Sequence, residues 1–341
     1  MAEQLGLPLL SVVPAAKPLA VLDERLRGTR FISLASQRVL NPPSQTGMDF
    51  WSLNPYVGCE FGCSYCYARY AHRYVVERAH AAGKLNDADG WEAFERRIFV
   101  KEQILGALET DLRRLTEGQT VVIGTATDPY QPAERRFRVT RAVLGRLARC
   151  EGLSIGIITK SPLVARDVDV LRRLQERNAV EVYVSLITVD AELVRTLEAR
   201  SPLPTVRLRG LAKLTAAGIN AGLIVAPVLP GITDDLPHLE ALFSAAREAG
   251  ARFLHAGPLR LYPAIRERFL PLLEEHFPAL ADRYRAAYAG SGSAPRRYAR
   301  ALSRRIKRLQ ARFGFAVNDG MVDRYRSRLP VLQEELPLAG R

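Results

Sequence analysis

From about residue 50 onward, short β-branched runs alternate with longer amphipathic stretches. That alternation is the mark of βα units laid around a parallel sheet. It predicts strands at residues 120–126, 154–159, 180–184, 221–226 and 252–255, with one more just before residue 59. Between them it predicts helices at 66–82, 94–117, 141–150, 164–176 and 207–217, the last closed by Gly218 as a C-cap. Six such units imply an α/β fold, a partial (β/α)6 barrel. The flanks read differently. Residues 1–45 have mixed pattern and several prolines, as expected of an extension wrapped on a core at 46–270, and residues 271–341 read as helices only.

In that last region the loop YAGSGSAP, residues 288–295, precedes an amphipathic helix at 296–313. Tyr298, Leu302, Ile306, Leu309 and Phe313 form one stripe at spacings of 4, 4, 3 and 4. Eight basic residues surround it: Arg296, Arg297, Arg300, Arg304, Arg305, Lys307, Arg308 and Arg312. This face reads either as a nucleic-acid contact surface or as an ordinary solvated helix face.

Composition sharpens the picture in two places. Forty-nine Lys and Arg against 36 Asp and Glu give a formal charge of +13, which favours polyanions, although an arginine-rich proteome gives the same excess. The chain begins Met-Ala-Glu-Gln, without the basic region of a signal peptide, and its longest apolar run, 221–232, is too short to span a bilayer and contains Pro227 and Pro230. A cytoplasmic protein with no membrane partner is expected. Three of its four cysteines fall in one short loop, so no disulfide framework exists.

That loop carries the chemistry. The run NPYVGCEFGCSYCY, residues 54–67, places Cys59, Cys63 and Cys66 at the spacing Cys-x3-Cys-x2-Cys. Three thiolates can hold three irons of a 4Fe–4S cluster and leave the fourth open, whereas ordinary four-iron clusters and structural zinc sites take four ligands. Three bland readings stand beside it: a zinc knuckle completed by His72, three buried structural cysteines, and an electron-transfer cluster.

The spacing, with Tyr65 before the third cysteine and flanking Asn-Pro-Tyr and Tyr-Ala-Arg, resembles the radical S-adenosylmethionine (SAM) superfamily, and within it the branch related to spore photoproduct lyase, often labelled DNA repair photolyase-like. The resemblance covers residues 46–265. It implies a partial barrel, a 4Fe–4S cluster and SAM as cofactors, and reductive cleavage of SAM to a 5′-deoxyadenosyl radical. A reductant such as flavodoxin or ferredoxin would supply the electron.

In parallel βα folds the active site forms at the C-terminal ends of the strands. That rule selects TATDPYQPAE (residues 125–134), Lys160, Ser185, residues 225–227, His255 and Arg260. By resemblance, Thr127 and Lys160 match SAM-contacting residues, Ser185 a serine near the nucleoside, and Tyr67 a tyrosine implicated in hydrogen-atom transfer. Tyr65 is expected to pack on the cluster or adenine. Asp128, Glu134 and Arg260 are further candidates for substrate or radical control, with helix capping the ordinary alternative for both carboxylates. One departure stands out. Spore photoproduct lyase carries a hydrogen-donating cysteine after its second strand, where this chain reads Gly-Thr-Ala-Thr-Asp, and Cys150 falls at the opposite barrel face. Substrate therefore stays open between a nucleic-acid lesion, a peptide and a small metabolite. The rival of another class is a cluster-bearing nucleic-acid-binding module that never cleaves SAM.

Overall fold

A computed structural model describes residues 19–24, 28–85, 93–290 and 292–316. Its strands are β1 (Val21–Glu24), β2 (Arg30–Ser33), β3 (Leu40–Asn41), β4 (Trp51–Leu53), β5 (Tyr56–Val57), β6 (Arg97–Val100), β7 (Thr120–Ile123), β8 (Ser154–Thr159), β9 (Ala179–Ser185), β10 (Ala221–Val228) and β11 (Leu254–Pro258). The main sheet has the order β11-β10-β9-β8-β7-β4-β3. Every neighbouring pair from β4 to β11 is parallel, and β3 adds an antiparallel strand beside β4. This is the partial (β/α)6 barrel that the alternating pattern predicts.

Strand alternation decides which residues reach the inside. Along β9, Val180, Val182 and Val184 join the main apolar core, while Glu181, Tyr183 and Ser185 take the opposite face. The covering helices bury matching stripes, such as Val143, Leu144 and Leu147 of helix Val139–Leu147. Helix Arg296–Arg312 adds Leu302, Ile306 and Leu309 to the same core, and Phe31 of β2 joins it too. No helix among the described residues is long and apolar enough to cross a membrane.

Two expectations need correction. The helix expected at 94–117 is interrupted: residues Arg97–Val100 form β6, and only Ile104–Leu112 is a full helix. Its four residues are all buried, with β6 parallel to β2 and antiparallel to β5 in a second sheet of order β1-β2-β6-β5. Sheet pairing there overrides a pattern that looks helical in isolation. Helices Ala191–Leu197 and Leu236–Glu248, absent from the sequence reading, follow β9 and β10 and bury Leu197, Leu239, Leu242 and Phe243.

Candidate active site

The loop at residues 58–67 leaves β5 and is shaped by two glycines. Gly58 has φ +90°, and a Cβ there would meet the carbonyl oxygens of Arg97 and Phe94 at 2.8 and 2.9 Å. Gly62, at φ +68°, lies against the Glu95 carboxylate. Only glycine takes the first position without displacing backbone. The loop then docks on both sides. The Cys59 amide donates to the carbonyl of Phe94 (2.9 Å), the Ser64 amide to Leu197 (2.9 Å), and the Arg200 amide to Phe61 (3.0 Å). Behind it Glu95 gathers Arg69, Arg268 (2.8 Å) and Arg200 (3.9 Å).

Cys59 and Cys63 are buried and Cys66 is half-buried, in an apolar cluster with Phe61, Tyr65, Ile187, Leu229 and Leu259. The last three lie just beyond β9, β10 and β11, so the thiols sit over the C-terminal face of the sheet. Burial pushes all three thiols up, Cys63 to about 12, although Lys160 pulls that one down. Such a pocket favours neutral thiols until a cation is coordinated, which is how metal binding couples to thiol ionisation.

The donor set fits an iron–sulfur cluster better than a single ion. Among the described residues no three His, Cys, Asp or Glu side chains converge to hold one metal ion. Ligands of one zinc all lie about 2.0–2.3 Å from it, whereas thiolates on three separate irons stand farther apart. His72 does not complete a zinc knuckle: its ring packs near Phe94 and Phe99, with Nε2 2.9 Å from the carbonyl of Arg97. Burial lowers its pKa to about 4.

A buried ionic network fixes the ammonium of Lys160 beside this loop. Its Nζ donates to Ser185 Oγ (3.2 Å), pairs with Glu198 Oε1 (3.6 Å), and stands 5.9 Å from the centre of the Tyr65 ring. Burial opposes the charge, but Cys63 and Glu198 outweigh it and hold Lys160 above its ordinary pKa. Glu198 is wholly buried and accepts from Tyr65 Oη, Arg207 and Ser201 (3.0 Å). Burial disfavours its charge, yet Arg207 and Lys160 prevail and bring it down to about 2. Arg207 in turn donates to the Ser185 carbonyl (2.8 Å), so strand end, lysine and cysteine loop form one assembly.

The residues after β7 serve that assembly from the other side. Thr127 Oγ1 donates to the carbonyl of Gly58 (2.6 Å) and accepts from Gln131, whose Oε1 accepts from the amide of Glu60 (3.0 Å). Asp128 is buried and accepts from Thr159 Oγ1 (2.7 Å) and the amides of Tyr130 (2.9 Å) and Lys160 (2.6 Å). It thereby ties the end of β7 to the end of β8. Tyr67 is 43% exposed and its hydroxyl donates to the Thr125 carbonyl. Asn54 joins Thr125 (3.1 Å) and the Ala126 amide (2.8 Å).

One candidate lies elsewhere, and Arg260 stays at the C-terminal end of β11. Glu134 is buried against Tyr56 and Arg166 and accepts the amides of Thr140 (2.9 Å) and Arg141 (3.1 Å), so it caps helix Val139–Leu147. Arg260 pairs as a β-bridge with Ser293. Cys150 precedes β8, at the N-terminal edge of the sheet, with Arg146 Nη1 3.3 Å from its sulfur. Glu198, Arg207 and Gln131 are the residues that sequence reasoning missed. Gln131 lay within a run already singled out; the other two carried no local signal.

Fold and site together define an α/β enzyme whose cysteine loop sits at the C-terminal mouth of a partial barrel. The chain belongs to the radical SAM superfamily, whose family profile matches residues 53–242. Members use a 4Fe–4S cluster and S-adenosylmethionine, and these are the cofactors of this enzyme. An uncharacterized protein of Mycobacterium tuberculosis strain H37Rv is 33% identical over 292 residues, covering 85% of this chain and 82% of its own length. One of Methanocaldococcus jannaschii is 27% identical over 203 residues, covering 60% and 69%. Among solved structures, spore photoproduct lyase complexed with dinucleoside spore photoproduct superposes with a TM-score of 0.59 at 14% identity, covering 83% of this chain and 79% of that one. That likeness concerns the fold.

Proposed function

We propose that Cys59, Cys63 and Cys66 hold the cluster and that Lys160 receives the carboxylate of SAM. The observation that carries this reading is the half-buried ammonium of Lys160, fixed by Ser185 and Glu198 next to Cys63 at the mouth of the barrel. With a reduced cluster and SAM bound there, the chemistry supplied would be hydrogen-atom abstraction from substrate after reductive cleavage of SAM. The chain's own part is to orient and to exclude water. Lys160 offers a point charge to a carboxylate, and Ser185 and Tyr65 fix where that charge stands. Thr127 and Asp128 act as positioning residues that hold the loop and the strand ends. Tyr67, at the exposed rim, is the side chain this reading assigns to hydrogen-atom transfer. A reductant of the flavodoxin or ferredoxin kind supplies the electron. Anaerobic reconstitution with iron and sulfide, then dithionite and SAM, should yield 5′-deoxyadenosine. Cys63→Ala should abolish both the cluster absorbance and that product. Unimpaired cleavage by the variant would sink the ligand assignment.

For substrate class we infer nucleic acid rather than peptide or small metabolite. Helix Arg296–Arg312 exposes all eight of its basic residues and carries no acidic one. Between it and helix Leu236–Glu248 lies a cavity of about 500 Å³ lined by Arg304, Arg305, Arg308 and Arg312 with a single acid, Glu240. A trough of guanidiniums suits a phosphate backbone. The helix begins just after the Arg260–Ser293 bridge beyond β11, so this basic surface starts at the catalytic end of the barrel. Binding of an oligonucleotide that weakens with salt and with loss of Arg304 and Arg308 supports it. Salt-independent binding, or none, would overturn it.

A further inference from the structure

The end of the cysteine loop and helix Arg69–Ala81, which follows it, carry a row of about half-exposed aromatic rings. Tyr67, Tyr70 and Tyr74 are 43%, 50% and 58% exposed, at successive spacings of three and four residues. Those spacings place them on one face. The Tyr67 and Tyr70 rings lie 6.5 Å apart and 24° from parallel. Arg78 stands over the Tyr74 ring at 5.3 Å and donates to its hydroxyl at 2.6 Å. Arg73 and Glu77 flank the row as an exposed ion pair at 2.6 Å. The helix is held by its other side, where Arg69, His72, Val76 and Ala79 are buried. Packing on that side leaves about half of each tyrosine's surface exposed. The row also has a direction. Tyr67 is hydrogen-bonded to Thr125 at the end of β7, so the rings lead outward from the rim of the site.

We propose that Tyr70 and Tyr74 are a stacking platform for unpaired bases, so that the strand enters the site single-stranded or locally opened. This rests on the nucleic-acid reading above and adds how the strand is presented. Exposed aromatic rings beside charged residues mark an interaction surface. Flat phenol faces accept any base, while arginines such as Arg73 and Arg78 meet the phosphates. A basic chain with a separate arginine-lined trough complements a polyanion. The other occupant of an aromatic face at this rim would be the reductant, and the test separates the two.

The experiment is fluorescence anisotropy of the cluster-loaded full chain with labelled DNA and RNA strands of about 12 nucleotides, within the usual single-strand site size, and with the matching duplexes. The wild type should prefer single strands. Tyr70→Ala/Tyr74→Ala should weaken single-strand binding by about 5-fold or more, from the loss of base stacking, while duplex binding changes less. Tyr70→Phe/Tyr74→Phe should restore it. Cluster content and melting temperature report that the variants fold. Equal affinity of the alanine variant and the wild type for single strands overturns the platform, provided Arg304→Ala/Arg308→Ala still weakens binding. A wild type that binds no strand overturns the nucleic-acid reading itself. A variant that keeps strand affinity but cleaves SAM with dithionite and no longer with flavodoxin identifies the row as a docking face for reductant, which also overturns the proposal.

Discussion

The cysteine loop and the Arg296–Arg312 helix are both rich in function-bearing side chains, yet they handle charge in opposite ways. Around the loop, Glu198, Arg207 and Asp128 are buried and Lys160 is half-buried, and each is satisfied by named partners. On the helix, the charges stand in solvent while Leu302, Ile306 and Leu309 anchor it below. Two of those guanidiniums have neighbours within reach, Arg305 at the Asp234 carbonyl and Arg312 at Glu240. Arg304 and Arg308 have none among the described residues. Buried charges fix geometry and are costly to disturb. Exposed charges fix little and are available to a partner. The loop therefore holds its groups in fixed geometry, and the helix leaves its cations open to solvent.

The sharpest way to break this contrast is at Glu198. Glu198→Gln would leave Arg207 buried and Lys160 half-buried beside a neutral amide, and loss of one partner of a buried pair such as Arg207–Glu198 costs about 3–5 kcal/mol. Chemical denaturation should show that loss near neutral pH. The sign with pH follows from the depressed pKa. Because Glu198 titrates near 2 when folded against an ordinary value of 4.5, its contribution is complete above about pH 4.5 and fades as pH falls through about 2. The gap between wild type and variant should narrow over that acid window. A gap independent of pH would show that Glu198 acts by shape rather than charge. Adding Arg207→Met should recover part of the loss, since it removes one of the two cations left without a counter-charge, with Lys160 remaining.

A somewhat smaller effect is expected at Gly58, the loop residue just before the proposed ligand Cys59. In Gly58→Ala the new Cβ would press on two backbone carbonyls at 2.8 and 2.9 Å, in a left-handed conformation. Left-handed strain and overpacking together amount to about 2–4 kcal/mol. Because the Cys59 amide docks on the adjacent Phe94 carbonyl, that cost should fall on the loop rather than on the barrel. Reconstituted iron and sulfide per chain should drop while far-ultraviolet circular dichroism stays the same. Full cluster loading by this variant would mean that the thiols find their positions without the docked loop.

How much of this was legible depends on the range of the interactions. The thiols, Gly58 and Gly62 lie in one short stretch, and β8 and β9 announce themselves by local β-branched runs, so these were readable in order along the chain. The orienting network was not. Tyr65 and Glu198 are 133 residues apart, and Glu198 ends a helix that carried no sequence prediction. Residues 97–100 failed for a related reason. Arg-Ile-Phe-Val becomes a strand because β2 and β5 flank it, and neither strand is next to it in sequence. Thr127, Lys160 and Ser185 were nameable because strand ends are visible locally. What their polar groups bind became visible only once distant segments met.

The mildest expected effect on the fold belongs to the helix, and it should be the clearest on binding. Arg304 and Arg308 line the trough and are exposed, so Arg304→Ala/Arg308→Ala should leave the melting temperature within about 1–2 °C of wild type. Each single-strand phosphate contact contributes about 0.7 to the slope of log affinity against log salt. Losing two should therefore flatten that slope by about 1.4, nearly independently of sequence, as backbone contacts require. The same variant at Glu240 inverts the logic. Glu240→Gln removes the only acid lining the trough and frees Arg312 from its ion pair, so strand affinity should rise where the arginine variant lowers it. If both substitutions left the salt slope unchanged, the helix would be a solvated face after all, and the contrast with the cysteine loop would be one of stability alone.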